Sequence, residues 1–188
     1  FLTSEENLRR EEYVVLHTER GVEMGVMLRT FENEIPDNLS VPMVGEMLRV
    51  ATQQDIKKLK RLQDTVEPEE FRYAHRKIRE MGLDMKLSKV EHLFGGEKII
   101  FYFLAENRVD FRALVKDLAQ HFKARIEMRQ IGVRDETRLV GNCEMCGQTL
   151  CCQNQLTELK PITMRMAKNQ MKTLDPTRIS CRCGRLRC

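Results

Sequence analysis

Seven cysteines, all in the last quarter of a 188-residue chain, are the residues with the most chemistry to offer. Five of them fall in two stretches that repeat one another, Cys146-Gly147-Gln148-Thr149-Leu150-Cys151-Cys152 and Cys183-Gly184-Arg185-Leu186-Arg187-Cys188. With Cys143 and Cys181 included, the groups read Cys-x2-Cys-x4-Cys-Cys and Cys-x-Cys-x4-Cys. A glycine after a cysteine lets the backbone turn tightly, so that several thiolates and amides can converge on one centre. Thiolates favour zinc or iron–sulfur clusters over hard cations such as magnesium. Plant-type ferredoxins use spacings of four and two residues plus one distant cysteine, and the first group carries the same two spacings in reverse order. Zinc is the rival reading. Cys143/Cys146 is a knuckle of the usual spacing, whereas the second group offers gaps of one or four, and adjacent Cys151-Cys152 crowds a small tetrahedral site. A third class is a thiol redox enzyme using Cys151-Cys152 or a nearby pair, which would need a nucleophilic cysteine of depressed pKa. Spacing alone leaves these alternatives open.

The bulk properties narrow the setting. An odd cysteine count argues against a closed disulfide framework, and no signal peptide is visible, so a reducing compartment and thiolate ligation are expected. No stretch approaches the roughly 18 apolar residues of a membrane span. The chain starts at Phe1 rather than Met and stops on Cys188 inside a motif, which reads as a piece of a longer protein. Net charge is +4, and its distribution says more than its size. From Cys143 to Cys188 there are eight Lys or Arg against three Asp or Glu, so the cysteine region carries the excess. Such a surface attracts phosphate backbones or acidic proteins, or merely offsets thiolate charge. Arg165, Lys168, Arg182, Arg185 and Arg187 are the candidate contacts with RNA or an acidic partner.

The elements that must position these residues form an α+β body: a mixed or antiparallel sheet with packed helices, followed by an irregular cysteine-rich C-terminal region. Tyr13–His17 and Val22–Thr30 read as strands of a hairpin turning at Thr18–Gly21. Residues 32–47 have loop composition. From about Ala51, Ile56, Leu59, Leu62 and Val66 recur at helical steps. Pro68 then opens a second stripe of Phe71, Ala74, Ile78 and Met81, giving a helical hairpin or one long kinked helix with charged outer faces that could dock a partner protein. Met85–Phe94 and Lys98–Ala105 read as strands about a Gly95-Gly96 turn, the second apolar enough to be central and covered on both faces. Asp110 caps a helix with Phe111, Leu114, Val115, Leu118, Ala119 and Phe122 on one face, and Ala124–Ile131 follows as a strand. After Gly132 the pattern weakens, as in a segment ordered by its ligand. Pro161 opens a short helix with Met164, Met166, Ala167 and Met171, and Asp175-Pro176-Thr177 is a turn. The divisions are residues 1–50, a hairpin and linker; 51–132, helices and a ββαβ core; and 133–188, the cluster-binding region, all integrated in one domain.

No catalytic constellation competes. His17, His75, His92 and His121 are scattered and read as structural or exposed, and no phosphate loop or dinucleotide fingerprint occurs. No small-molecule substrate is expected.

Several motifs in order carry a resemblance: Gly82-Leu83-Asp84-Met85-Lys86-Leu87, Arg108-Val109-Asp110-Phe111-Arg112, Arg129 to Glu136, the first Cys-Gly motif, Met166-Ala167-Lys168-Asn169-Gln170, and Asp175-Pro176-Thr177-Arg178-Ile179-Ser180 with Cys183-Gly184-Arg185-Leu186. Together, over about Tyr13 to the end, they resemble the bacterial YaaT/RicT family of stage-zero sporulation regulators, whose shared domain is named after the C-terminal part of a yeast polymerase-suppressor protein. The resemblance implies a non-enzymatic cytoplasmic regulatory subunit. It would carry [4Fe–4S] clusters and work with two small helical partner proteins and the endoribonuclease RNase Y in mRNA maturation, with effects on biofilm, competence and sporulation. The family cysteines carry over to Cys146, Cys151, Cys152, Cys183 and Cys188, whereas Cys143 and Cys181 look additional. A zinc-stabilised nucleic-acid-binding module is the alternative.

Overall fold

Burial of Val14, Val15 and Leu16 anchors the first strand, β1 (Tyr13–Thr18). It pairs antiparallel with β2 (Gly21–Val26) across the turn Glu19-Arg20, where Thr18 Oγ1 accepts the Arg20 N–H at 3.1 Å. On its other side lies β3 (Gly45–Val50), so the sheet order is β2-β1-β3. The computed structural model that carries these elements describes residues 8–28, 45–144, 146–156, 158, 160–170 and 173–188. The expected loop at 32–47 therefore falls mostly outside the described residues, and its last part is corrected: Gly45–Met47 begin a strand. The glycine that read as loop punctuation is there because a Cβ at Gly45 would collide with the His17 carbonyl. The second strand ends at Val26, shorter than the alternation predicts.

The described residues fall in two compact units: those within 8–82, 90–101 and 110–128 make the first, and those within 83–89, 102–109 and 129–188 make the second.

In the first unit, helix α1 (Gln53–Arg61) starts at a reciprocal cap. Thr52 Oγ1 accepts the Asp55 N–H at 3.3 Å, and Asp55 Oδ2 accepts the Thr52 N–H at 2.8 Å. Arg49 adds a bidentate pair to the same carboxylate. The chain then runs without a break through a π-helical turn, Leu62–Val66, into α2 (Glu67–Glu80). The helical region is thus the continuous alternative, not a hairpin. The wider turn keeps Leu62 in a core with Val15 and Phe94, on which Val22, Met24, Ala51, Leu59 and Val66 pack. Along α2 the buried positions are Glu70, Ala74 and Ile78, while Met81, expected on that stripe, is exposed. Glu70 is buried because His92 meets it, with Nδ1 and Oε1 2.7 Å apart, although its Oε2 has no hydrogen-bond partner among the described residues.

The second sheet has the order β4-β5-β6, with β4 (Lys86–His92), β5 (Lys98–Leu104) and β6 (Arg125–Gln130). The short turn after β4 joins antiparallel neighbours, with Leu93 N–H donating to Lys98 O at 3.0 Å. Arg125 donates to Glu97 O and Ile131 to Phe103 O, so β6 ascends with β5, a parallel arrangement that needs a crossover helix. That helix is α3 (Arg112–Phe122), preceded by Asp110, whose Oδ1 accepts the Arg112 N–H at 3.2 Å. The expected central strand holds: Ile99 through Phe103 are all buried, each contributing about 2 kcal/mol. The α3 stripe holds as well, with Leu114 and Leu118 fully buried. The fold class is α+β.

In the second unit, the cysteine-rich region is largely irregular, as expected, but the chain enters it through a helix the weak pattern did not signal, α4 (Val133–Val140). Asp135 Oδ2 accepts the Gly132 N–H at 3.3 Å, which fixes the start. The helix buries no residue, so it left no apolar stripe to read. Helices α5 (Cys151–Asn154), α6 (Met164–Gln170) and α7 (Pro176–Ile179) follow. Thus Pro161 stands ahead of its helix rather than opening it, and Met171 lies outside the described residues. No helix among the described residues is long and apolar enough to cross a membrane.

Two outcomes are expected. The Asp55 carboxyl is held well below the usual carboxylate range, first by Arg49 and then by the Thr52 N–H and hydroxyl. A depressed folded-state pKa stabilises fully above the unfolded value of about 4 and is lost as pH falls through the folded value. Thermal melts followed by far-UV circular dichroism should therefore separate the wild type from Asp55→Asn near pH ~7, with the gap narrowing as the buffer is taken below pH ~4. Glu70→Ala should cost roughly 3 kcal/mol in urea unfolding, the range for removing one partner of a buried pair.

Candidate metal centre

The two Cys-Gly motifs fold as the same turn twice. In the first, the Glu144 N–H donates to Gln148 O at 2.9 Å, Gly147 donates to Glu144 O at 2.9 Å, and Leu150 donates to Asn142 O at 3.2 Å. In the second, Cys181 donates to Arg185 O at 2.8 Å, Gly184 to Cys181 O at 2.9 Å, and Arg187 to Ile179 O at 2.9 Å. Advancing each number of the first set by the Cys146-to-Cys183 separation gives the second. The bridges obey the same shift, Cys143 with Thr149 and Ser180 with Leu186. Both turns need glycine behind the cysteine, because Gly147 has φ +77° and Gly184 has φ +75°. Each knuckle sits beside a short helix. Leu150, 2% exposed, precedes α5, and α7 precedes the second knuckle with Asp175 Oδ1 accepting the Thr177 N–H at 3.0 Å.

The repeat sorts the cysteines. Cys146 corresponds to Cys183 and Cys151 to Cys188. Cys143 corresponds instead to Ser180, and Cys181 to Glu144. The structure brings three of the expected residues into mutual influence: Cys152 with Cys188 and Cys183. Burial pushes the Cys152 thiol up, and the nearby Cys188 and Cys183 thiols add to this, while Arg138 opposes it. Cys181 is handled differently. Its Sγ donates to Glu144 Oε2 at 3.3 Å, and burial, aided by that carboxylate and the Cys183 thiol, pushes it up to about 11 against the opposing Cys183 backbone N–H. Cys143, Cys146, Cys151 and Cys188 are exposed, and Cys183 is half-buried.

The donor set suits a thiophilic centre: seven thiols, four of them in equivalent pairs on two tight turns. The geometry is not yet that of a chelate. Among the described residues no three His, Cys, Asp or Glu side chains are gathered closely enough to hold an ion.

Of the basic candidates, Arg165, Lys168, Arg182 and Arg185 are exposed. Arg187 is turned to the protein, its Nε donating to Ser180 O at 3.1 Å and its Nη2 3.7 Å from Glu144 Oε1. Glu144 thus clasps two residues of the second knuckle, Cys181 and Arg187. Arg134 adds a bond from Nη2 to Leu186 O at 3.4 Å. Sequence reading missed both ties, although aligning the two motifs would have placed Glu144 opposite Cys181.

Similarity to known proteins follows the same layout. Residues 45–131, from β3 through β6, match the PSP1 C-terminal conserved region, and residues 161–188, holding α6, α7 and the second knuckle, match the third domain of PSP1-like proteins. The Bacillus subtilis stage 0 sporulation protein YaaT is 42% identical over 175 residues, covering 93% of this chain; the chain spans 62% of that relative's length. An uncharacterized protein of Schizosaccharomyces pombe is 40% identical over 52 residues, which are 28% of this chain and 7% of that protein. No solved structure matches. Both PSP1 regions are matched in order, and 93% of this chain aligns with YaaT, so the chain carries the PSP1 C-terminal conserved region and is similar to YaaT along nearly its own length.

Proposed function

We propose that the chain is a non-enzymatic regulatory adaptor whose C-terminal thiolates bind an iron–sulfur cluster. By the resemblance set out above, the cluster is [4Fe–4S], and the adaptor works in the cytoplasm in a complex with small helical partner proteins and RNase Y in mRNA maturation. A regulatory role is supported by the similarity to a protein named for stage 0 of sporulation. The single observation that supports the cluster is the repeated knuckle, which puts Cys146 with Cys183 and Cys151 with Cys188 at equivalent backbone positions. Cys146, Cys151, Cys152, Cys183 and Cys188 are the donor pool. A bound cluster supplies a covalent tie between thiolates and a site that can accept an electron. The chain's own residues supply the frame: Gly147 and Gly184 close the turns, Glu144 clasps the second knuckle, and Arg138 offsets thiolate charge.

Anaerobic purification followed by visible absorption and iron and sulfide analysis tests this directly. A brown protein containing iron and acid-labile sulfide is expected. Cys183→Ser and Cys188→Ser should each lose most of the iron. Cys143→Ser and Cys181→Ser should keep it, because neither position has a thiol counterpart in the repeat. A colourless protein with stoichiometric zinc and no iron would sink the cluster and favour the zinc module, for which a tight turn carrying Cys-Gly is equally suited.

A further inference from the structure

Within the first unit, helices α2 and α3 meet at a stack of rings. Tyr73 and His121 lie face to face, with centroids 3.8 Å apart and planes 5° from parallel. Phe122 packs edge-on against both, at 5.3 Å and 4.9 Å, and continues inward to the buried Phe101. Tyr73 Oη donates to Asp117 Oδ2 at 3.1 Å. The stack is therefore fixed by the core on one side and by a hydrogen bond on the other. His121 is exposed although Tyr73 covers one face of its ring, so its open side looks outward. A second exposed histidine, His75, is backed by Phe71 one turn away, with centroids 6.0 Å apart and planes 11° from parallel.

Cations border these rings. Arg76 and Lys77 stand 5.3 Å and 5.9 Å from the centre of the Tyr73 ring and share the carboxylate of Glu80, at 3.8 Å and 2.9 Å. Arg72 and Arg79 are exposed on the same helix and make no ion pair among the described residues. From Phe71 to Glu80 there are four Lys or Arg and one acid. Glu69 on α2 and Asp117 on α3 add two more carboxylates, so the positive excess is small and the rings carry most of the chemistry. The C-terminal basic residues differ in kind. After Phe122 the chain has no aromatic or histidine residue, so Arg182 and Arg185 offer charge without a stacking face.

We propose that the α2–α3 ledge binds single-stranded nucleic acid, with an unpaired base stacked on the open side of His121 and the phosphates running past Arg76 towards Arg79. The ring spacing of 3.8 Å is close to the roughly 3.4 Å step between successive nucleotides, so a base on His121 continues a stack that Tyr73 has begun. Every base has a π face, so such binding tolerates sequence. A duplex fits less well, because its bases are already stacked and paired. An acidic peptide would answer the arginines and leave the rings without a role. The inference does not depend on the cluster reading, since neither helix contains a cysteine.

Fluorescence anisotropy on the full chain tests it. The probe is a labelled mixed-sequence RNA strand of about 12 nucleotides, set against DNA of the same sequence, the RNA duplex, an abasic strand of the same length and a polyglutamate peptide. A single strand should bind about tenfold or more tightly than the duplex, the abasic strand and the peptide. Preference for RNA or for DNA supports the site alike and names the strand. His121→Ala should weaken binding about tenfold, whereas His121→Tyr should retain it. Arg79→Ala should weaken every single strand alike and lower the salt slope by about one. Both positions are exposed, so matching circular dichroism spectra show that the fold is intact. Equal affinity for the abasic strand or the peptide, binding untouched by His121→Ala, or loss of binding in Arg182→Ala and Arg185→Ala instead would each overturn the proposal. So would the absence of single-strand binding at about 100 μM protein, the weak end of non-specific contacts.

Discussion

Thiols placed together resist becoming thiolates together, and the cysteine region is organised around that constraint. Cys152 is pushed up by burial and by Cys188 and Cys183, and Arg138 pulls the other way. A cation shared by the thiolates is the usual remedy, since metal binding deprotonates its ligands and turns repulsion into attachment. The basic excess from Cys143 to Cys188 acts in the same direction at longer range.

The repeated knuckle gives this region its frame and its asymmetry its grip. Two copies of one turn present Cys146 with Cys183 and Cys151 with Cys188 at equivalent backbone positions. Where the copies differ, at Glu144 and Cys181, the two side chains meet each other. A thiol donating to a carboxylate keeps its proton, so Cys181 serves as a hydrogen-bond donor between the knuckles. Arg187 reinforces the contact through Glu144 and through Ser180 O.

Legibility in the sequence followed the strength of local signals. The run Ile99–Phe103 and the stripe from Phe111 to Phe122 are long and apolar, and both appear where periodicity puts them. The repeat of Cys-Gly was readable because glycine at positive φ is a backbone requirement written as a residue type. Strand β3 was not readable, since Gly45 signals a loop by composition but is there for close approach to His17. Helix α4 buries nothing, so no periodic stripe exists for it. Glu70 takes a core position that a charge would normally forbid, because His92, distant in sequence, answers it. Partners brought together by the fold, such as Glu144 with Arg187, leave no mark on either local segment.

The first unit and the cysteine region reach order by different routes. The first closes on apolar packing: Val15, Leu62 and Phe94 join sheet, helix and turn, and Ile99 through Phe101 and Leu118 are buried beyond them. From Val133 to Cys188 the described residues bury only Leu150, Cys152 and Ile179. Backbone knuckles and the Glu144 clasp add modest net terms. With so few buried side chains among its described residues, the segment is held by its backbone turns and the Glu144 contacts rather than by an apolar core.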